Sequence, residues 1–158
     1  MRSGGGSPPV YSLVMDTILP DTEILVDRLG ELLSARAEEE GIAAAWLFGS
    51  VARGTARPNS DIDIGILYRE DPPRTLAGIG QVFNLEEELT EITDLPIQVV
   101  NLNHAPVDLV IRVLRDGKLL LGQDSLQRID FEVRSRNEFW DLEPYLRLYR
   151  GQEPYAHD

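Results

Sequence analysis

The segment GSVARGTARPNSDIDI, which runs from Gly49 to Ile64, joins a Gly-Ser turn to two aspartates that lie one residue apart. The apolar run before it, residues 42–48, predicts a short buried strand that ends at Gly49, where a backbone without Cβ can turn sharply. Ser50 adds a hydroxyl donor beside this turn, and a helix starting near Val51 would present free N–H groups and a positive dipole end to an anion. The first half of the segment therefore predicts a phosphate-binding turn.

The second half of the segment predicts a metal site on a strand. Asp61 and Asp63 share the strand period of two, so we expect both side chains on one face, with Ile62 and Ile64 on the other face towards the core. Paired carboxylates are suitable ligands for Mg²⁺, which keeps several waters and bridges to substrate phosphates. Nucleotidyl transfer needs both parts, because the protein positions phosphates while metals neutralise the developing charge. Each motif alone is more often structural, so the interpretation rests on their combination.

The pattern GS-x-ARG-x(5)-SDIDI resembles the signature of the nucleotidyltransferase superfamily typified by DNA polymerase beta. More narrowly, it resembles the minimal nucleotidyltransferases (MNT) of HEPN/MNT toxin-antitoxin pairs. Residues 101–106, 107–115 and 116–121 resemble a strand, a helix and a closing strand of these proteins, so the likeness spans roughly residues 23–150. It implies an α/β (α+β) fold in which a small mixed β-sheet is flanked by helices. We expect helices on one face of the sheet and the site on the other.

The resemblance also implies an activity. Such an enzyme is a Mg²⁺-dependent adenylyltransferase that moves AMP from ATP to a hydroxyl group of a cognate HEPN ribonuclease toxin and thereby silences the toxin. The expected acceptor is a tyrosine hydroxyl. An arginine at the position of Arg53 could hold a phosphate oxygen bidentately, although a surface ion pair is the alternative. The resemblance assigns nucleotide binding to Gly49, Ser50, Arg53 and Ser60, and both metal binding and catalysis to Asp61 and Asp63.

One position departs from the family pattern. Relatives usually carry a third carboxylate on the strand that we predict over residues 96–102, and this chain has the neutral Gln98 there. Asp94 is the nearest acid, and an even offset of four keeps it on the same face if the strand begins that early, although Pro96 favours a strand start. Either Asp94 or Gln98 could occupy the third position of the metal site.

Two alternative functions stay open beside the adenylyltransferase. The first is a catalytically weak or inactive antitoxin that neutralises the toxin by binding, which the loss of a carboxylate at Gln98 favours. The second is a transferase of the aminoglycoside-modifying type, which would need a second domain or a dimer cleft around its small-molecule substrate.

Length and composition predict a single small domain in the cytoplasm. The chain has 158 residues, no cysteine and a formal net charge of −12, and this charge argues against nucleic acid as a direct substrate. No apolar stretch approaches the ~20 residues that span a bilayer, so we expect no membrane partner. We expect a flexible leader over residues 1–20, a minimal nucleotidyltransferase domain over residues 21–150 and a flexible tail over residues 151–158. Homo- or hetero-oligomers are compatible with this organisation.

Three helical patterns flank the strands. The first runs from a cap at Asp21 to about Glu40, and the second from about Thr75 to Thr90. The third covers residues 126–150, where we expect Pro144 to break it in two and its aromatics to cover the sheet or form a partner surface. The expected inward residues are Ile24, Leu25, Leu29, Leu32 and Leu33 in the first helix, and Leu76, Ile79, Val82, Phe83 and Leu89 in the second.

Overall fold

A computed structural model describes residues 19–151, so most of the expected leader and tail, residues 1–18 and 152–158, lie outside the described part of the chain. Helices and strands alternate along most of this range. Their order is α1 (Thr22–Glu40), β1 (Ile42–Phe48), α2 (Gly49–Arg53), β2 (Ile62–Tyr68), α3 (Leu76–Thr93), β3 (Ile97–Asn101), α4 (Val107–Asp116), β4 (Lys118–Leu121) and α5 (Leu126–Tyr149).

The four strands form one small mixed sheet, as the sequence predicted, and their order in it is β3-β2-β1-β4. β1 runs antiparallel to both β2 and β4, whereas β2 and β3 are parallel. Ile62 pairs with Ile97, and Phe48 pairs with Asp63. The end of β1 and the beginnings of β2 and β3 therefore meet at one edge of the sheet, which we call the site edge.

Helices cover both faces of this sheet. The larger core lies under α1 and α3, and the smaller one, which includes Trp46, Val110 and Phe131, lies under α4 and α5. The rings of Trp46 and Phe131 lie 6.3 Å apart between their centroids. The expectation that one face would stay open for the site is wrong, because that face also carries apolar side chains that require cover. The open part of the sheet is the site edge, where β1 ends and β2 and β3 begin.

The first helix forms as predicted. The Asp21 carboxylate accepts a hydrogen bond from the N–H of Glu23 at 3.2 Å, and the helix ends before Gly41. Its i, i+4 row Leu25, Leu29 and Leu33 is fully buried, as expected. The inward placement of Ile24 was wrong, because this residue lies one position off that row and faces solvent.

The second predicted helix, α3, fully buries its large apolar side chains only in its C-terminal half. Leu85 and Leu89 lie in the core against the sheet. Leu76, Ile79 and Phe83 are exposed, so their predicted inward placement was wrong. Periodicity locates an apolar stripe on a helix but does not say how much of the helix lies over the sheet.

The third pattern forms one continuous helix, α5, with Pro144 inside it, so the predicted break was wrong. Pro144 is exposed in the last turns of the helix, where its ring can point to solvent and only one backbone hydrogen bond is lost. Phe131 covers the sheet as expected, whereas Trp140 and Tyr145 are exposed. Residues 19–151 contain no helix with the length and apolar character that a membrane crossing requires.

Candidate active site

The Gly-Ser turn and the aspartate pair lie in contact at the site edge. Asp63 pairs with Phe48, the last residue of β1, so its side chain faces the turn that begins at Gly49. Gly49 has a φ of +77°, and a Cβ added there would lie 2.2 Å from the Oδ2 atom of Asp63. The carboxylate of Asp63 thus occupies the space that any other residue at position 49 would fill.

Asp61 and Asp63 lie close enough to interact electrostatically. Burial is the main reason why the pKa of the half-buried Asp63 is raised above its usual range, and the neighbouring Asp61 raises it further, while Arg53 lowers it. Asp61 itself is exposed, and Ile62 and Ile64 are buried in the core, as the strand period predicted. Two carboxylates whose negative charges oppose each other form a site that a cation would stabilise.

The turn itself is a single helical turn, α2. The backbone carbonyl of Ser50 accepts a hydrogen bond from the N–H of Gly54 and a second one from the N–H of Thr55 at 2.9 Å. Val51 and Ala52 are buried and so anchor the turn to the core. The helix begins at Gly49, earlier than the predicted start near Val51, and five residues carry little macrodipole. Anion binding here would depend on the N–H groups and the Ser50 hydroxyl.

Arg53 lies at the end of α2 and belongs to the same electrostatic cluster. Its charge lowers the pKa of Asp63 and also acts on Asp116 at the end of α4, whose pKa is lowered mainly by a hydrogen bond from Arg115. Sequence reasoning missed Asp116, because it lies more than fifty residues away in a segment that resembled only a closing strand. The positive charge of Arg53 therefore acts on both Asp63 and Asp116.

Ser60 closes the loop that leads into β2. Its hydroxyl accepts a hydrogen bond from the N–H of Arg57 at 2.8 Å, and its own N–H donates to the Arg57 carbonyl at 3.0 Å. This geometry gives Ser60 a local role in positioning Asp61. Its assignment to nucleotide binding stays a prediction.

Gln98 lies directly beside Asp63 in the parallel pairing of β2 and β3. It is exposed between the buried Ile97 and Val99. Its correspondence to a third carboxylate of the family stays a prediction. Asp94 caps α3 in the left-handed region, with a φ of 56°, and β3 begins only at Ile97. The strand-face argument for Asp94 therefore does not hold.

The site consequently offers two carboxylates and one amide. Within residues 19–151, no group of three or more His, Cys, Asp or Glu side chains could hold a metal ion. Mg²⁺ commonly binds through one or two carboxylates and completes its shell with water and substrate phosphates. The pair Asp61 and Asp63, open to solvent and destabilised by mutual repulsion, fits that requirement, and the Gln98 amide oxygen could contribute from the neighbouring strand.

A cleft of about 650 Å³ adjoins the turn on the side of α1. Arg53 and Lys118 contribute positive charge to its lining, and Asp21, Glu23 and Asp27 contribute negative charge. Sequence reasoning did not identify Lys118, because a lysine at a strand start carries no functional signal. Phosphate groups would bind on the Arg53 side of this cleft, where the charge is favourable.

Comparisons with known proteins identify the family of this chain. Residues 31–126 match the family described as Polymerase beta, Nucleotidyltransferase. Over 77 residues, which are 49% of this chain and 52% of the relative, the sequence is 36% identical to the protein adenylyltransferase MntA of Shewanella oneidensis. The chain thus spans about half the length of this curated relative.

Two solved structures share the fold. A toxin-antitoxin complex with AMP-PNP contains a chain with a TM-score of 0.64 and 23% identity, over 77% of this chain and 95% of that chain. A complex of a tri-AMPylated Shewanella oneidensis HEPN toxin with an MNT antitoxin gives a TM-score of 0.59 and 20% identity, over 78% and 95% of the two chains. At these identities the likeness concerns the fold alone. The family match, however, includes the turn, both aspartates and Gln98 and covers more than half of the sequence, so this chain belongs to the polymerase beta nucleotidyltransferase family.

Proposed function

We propose that this chain is a Mg²⁺-dependent protein adenylyltransferase that acts as an antitoxin in the cytoplasm, by transferring AMP from ATP to a hydroxyl of a cognate HEPN-type toxin. The observation that carries the proposal is the contact of the Asp63 carboxylate with Gly49, which joins a phosphate-binding turn to a metal-binding pair. The name of the relative MntA, a protein adenylyltransferase, supports the reaction. The similar structures with AMP-PNP and with a tri-AMPylated HEPN toxin support the nucleotide and the partner.

Each residue of the site has a role in this reaction. Gly49 and Ser50 bind phosphate oxygens through the backbone N–H groups and the hydroxyl of the turn, and Arg53 adds a charge-assisted hydrogen bond. Asp61 and Asp63 hold Mg²⁺, which when bound neutralises phosphate charge. The acceptor oxygen, expected to be a tyrosine hydroxyl of the toxin, forms a bond to the α-phosphorus of ATP. The bond from that phosphorus to the bridging oxygen breaks, pyrophosphate leaves, and the hydroxyl proton passes to solvent.

Gln98 limits the rate of this reaction. A carboxylate at this position beside Asp63 could accept the proton of the attacking hydroxyl, and an amide cannot, because its oxygen is far too weakly basic. General base catalysis contributes about 10²- to 10⁴-fold to such steps. The chain is therefore a slow transferase whose acceptor must lose its proton to water.

Gln98→Asp is expected to raise the initial rate of AMP transfer by about 10²-fold, because it supplies the missing base. The rate is measured by incorporation of radiolabelled AMP into the toxin at saturating ATP and Mg²⁺. Gln98→Asn is the matched control, since it has the length of aspartate without the charge, and it should not exceed the unaltered chain. An unchanged rate in a Gln98→Asp chain that still binds ATP would contradict the assigned role.

The proposed function is tested by the intact mass of the cognate HEPN toxin after incubation with this chain, ATP and Mg²⁺. We expect the toxin to gain mass in steps of AMP. This gain should be absent without Mg²⁺ and absent with an Asp61→Asn, Asp63→Asn double variant. A stable complex without added mass, in which the double variant protects the toxin equally well, would instead establish an antitoxin that acts by binding. AMP transfer to an aminoglycoside with no protein partner present would establish the small-molecule alternative.

A further inference from the structure

A cavity of about 260 Å³ lies between α4, α5 and the loop that follows β2, and we call it the α5 cavity. It adjoins the end of β2, a strand of 7 residues and so about 20 Å long, whereas Asp61 and Asp63 lie at the beginning of this strand. The α5 cavity is therefore separate from the site edge. Pockets for drug-sized ligands measure about 300–1,000 Å³, so this smaller space suits a group of the size of one side chain. The apolar part of its lining comes mainly from Leu67, Leu102, Val110 and Phe131.

The polar part of the lining is rich in hydrogen-bond acceptors. Both oxygens of Asp71 pair with Nδ1 of His104, at 2.9 and 2.8 Å, and Oδ1 also accepts from the Asn101 amide at 3.1 Å. These bonds hold the carboxylate in place and leave Oδ2 able to accept again. The Nε2 group of Gln127 donates to two backbone carbonyls at the end of β2, at 3.1 and 3.0 Å, so its Oε1 remains an acceptor.

Ser135 contributes a buried polar group without a protein partner. This residue is 8% exposed and lines the cavity, and its hydroxyl makes no hydrogen bond to any other residue in the range 19–151. Buried hydroxyl groups are normally hydrogen-bonded, so the unpaired one indicates a ligand that supplies the missing bond. Glu138 lies one turn further along α5 and brings a second carboxylate to the same cavity.

The charges around the α5 cavity favour a cation. Asp71 and Glu138 are both acidic, whereas the one arginine of the lining, Arg134, is 67% exposed and paired with Asp130 at 2.8 Å. The formal net charge of the whole chain, −12, also attracts basic partners. Among cations, a guanidinium fits better than an ammonium group. It presents five N–H donors in one plane to the several acceptors, and it is more weakly hydrated.

The side of α5 that faces the cavity continues towards the C-terminal end of the helix. Leu142, Tyr145 and Tyr149 follow Glu138 at intervals of four, three and four residues, so they lie on the same side of the helix. They are 38%, 68% and 89% exposed, and we call them the apolar row. An ion pair of 2.9 Å joins the residue after α5 to the first turn of α4 and holds this end of the helix in place. A polypeptide with a side chain in the cavity would place its neighbouring residues on the apolar row.

We propose that the α5 cavity binds the guanidinium group of an arginine side chain, which a partner protein presents beside an apolar residue. The guanidinium donates hydrogen bonds to Asp71, Ser135 and Glu138. The apolar neighbour of the arginine packs on Leu142 and Tyr145, in agreement with the frequent role of arginine and aromatic residues as interface anchors. No residue of the site edge takes part, so this binding is independent of AMP transfer.

The charge of the ligand is tested by NMR titration of the isotope-labelled full chain with N-acetyl-arginine N-methylamide, at saturating Mg²⁺. The citrulline analogue is the matched control, because it has the same shape without the charge. The arginine probe should shift the amide signals of Gln127 and Ser135, and its dissociation constant should be at least about tenfold lower than that of the citrulline probe. Absence of these shifts, or equal affinities of the two probes, would overturn the proposal.

The location of the ligand is tested by the same titration on variants. Glu138→Gln should raise the dissociation constant of the arginine probe by at least about threefold, and its exposed position preserves the fold. Ser135→Leu should abolish binding, because the larger side chain fills the cavity, and a thermal melt checks that this variant is folded. Glu87→Gln, which removes an exposed carboxylate on α3, is the control and should bind as the unaltered chain does. Equal weakening by Glu87→Gln and Glu138→Gln would show general attraction to an acidic protein and overturn the site.

The protein origin of the arginine is tested by comparing the peptide N-acetyl-Leu-Arg-Leu-amide with n-propylguanidinium, which is the bare side chain. The peptide should bind at least about tenfold more tightly, because its leucines bury apolar area on the apolar row. Leu142→Ser should remove most of this advantage and leave the affinity for n-propylguanidinium unchanged. Equal affinities of the peptide and n-propylguanidinium would assign the cavity to a small guanidinium compound and overturn the protein anchor.

Discussion

Asp63→Asn is expected to abolish AMP transfer and, at the same time, to stabilise the metal-free protein. The activity falls by at least about 10³-fold, because metal binding supplies several kcal/mol of charge stabilisation in the transition state and each 1.36 kcal/mol is tenfold in rate. Asparagine has nearly the same shape as aspartate, so the contact with Gly49 is kept while the charge is lost.

The stabilisation follows from the raised pKa of Asp63, which has burial as its main cause and the repulsion of Asp61 as its second. A carboxyl whose pKa is higher in the folded state than in the unfolded state favours folding in its protonated form. That contribution is complete below the unfolded pKa and is lost as the pH rises through the folded pKa. At neutral pH the ionised Asp63 therefore disfavours the fold, and asparagine removes this penalty.

The check is a set of thermal melts with and without Mg²⁺ at several pH values. Without metal, the variant should melt above the unaltered chain at neutral pH, and the difference should shrink as the pH falls into the acid range. Mg²⁺ should raise the melting temperature of the unaltered chain and not of the variant. Asp94→Asn is the control, since this cap residue lies outside the site and asparagine accepts the left-handed region. A variant that melts lower without metal would contradict the electrostatic argument.

The fold around the site was predictable because its signals are local. The apolar run before Gly49 has the length of one buried strand, and the alternation at Ile62 and Ile64 fixes which face of β2 is buried. The continuity of α5 through Pro144 and the exposure of the apolar side chains in the N-terminal half of α3 were not predictable in the same way. A proline at an exposed helix end is tolerated, and an apolar stripe on a helix can extend past the sheet that covers its other half.

The composition of the site was predicted from the motif, and its geometry was not. Which residue of β2 contacts Gly49 depends on the register that pairs Phe48 with Asp63, and the loop between the strands does not specify it. The position of Gln98 beside Asp63 was expected from the resemblance to the family and agrees with the parallel pairing. Asp116 joins the cluster only through the packing of α4 near α2, for which the sequence gives no signal.

Gly49→Ala is expected to lower AMP transfer by at least about 10²-fold, because the new methyl group takes the place of the Asp63 carboxylate. The added Cβ would lie 2.2 Å from Oδ2 of Asp63, so the carboxylate must move by more than an ångström or rotate away. A misplacement of about 1 Å can reduce a rate by about 10²-fold. The side chain of Asp63 can yield, so the fold survives. The stability loss is then set by the left-handed φ of +77° and amounts to about 1–2 kcal/mol.

Gly54 provides the control that separates the two effects of this substitution. Its φ is also +77°, and a Cβ added there would meet no atom within 4 Å. Gly54→Ala should therefore lower the free energy of unfolding as much as Gly49→Ala does, measured by urea denaturation, and keep most of the transfer activity. Mg²⁺ should stabilise Gly54→Ala and fail to stabilise Gly49→Ala, because only the latter displaces a metal ligand. Equal losses of activity in both variants would show that backbone strain in α2, and not the position of the Asp63 carboxylate, controls the reaction.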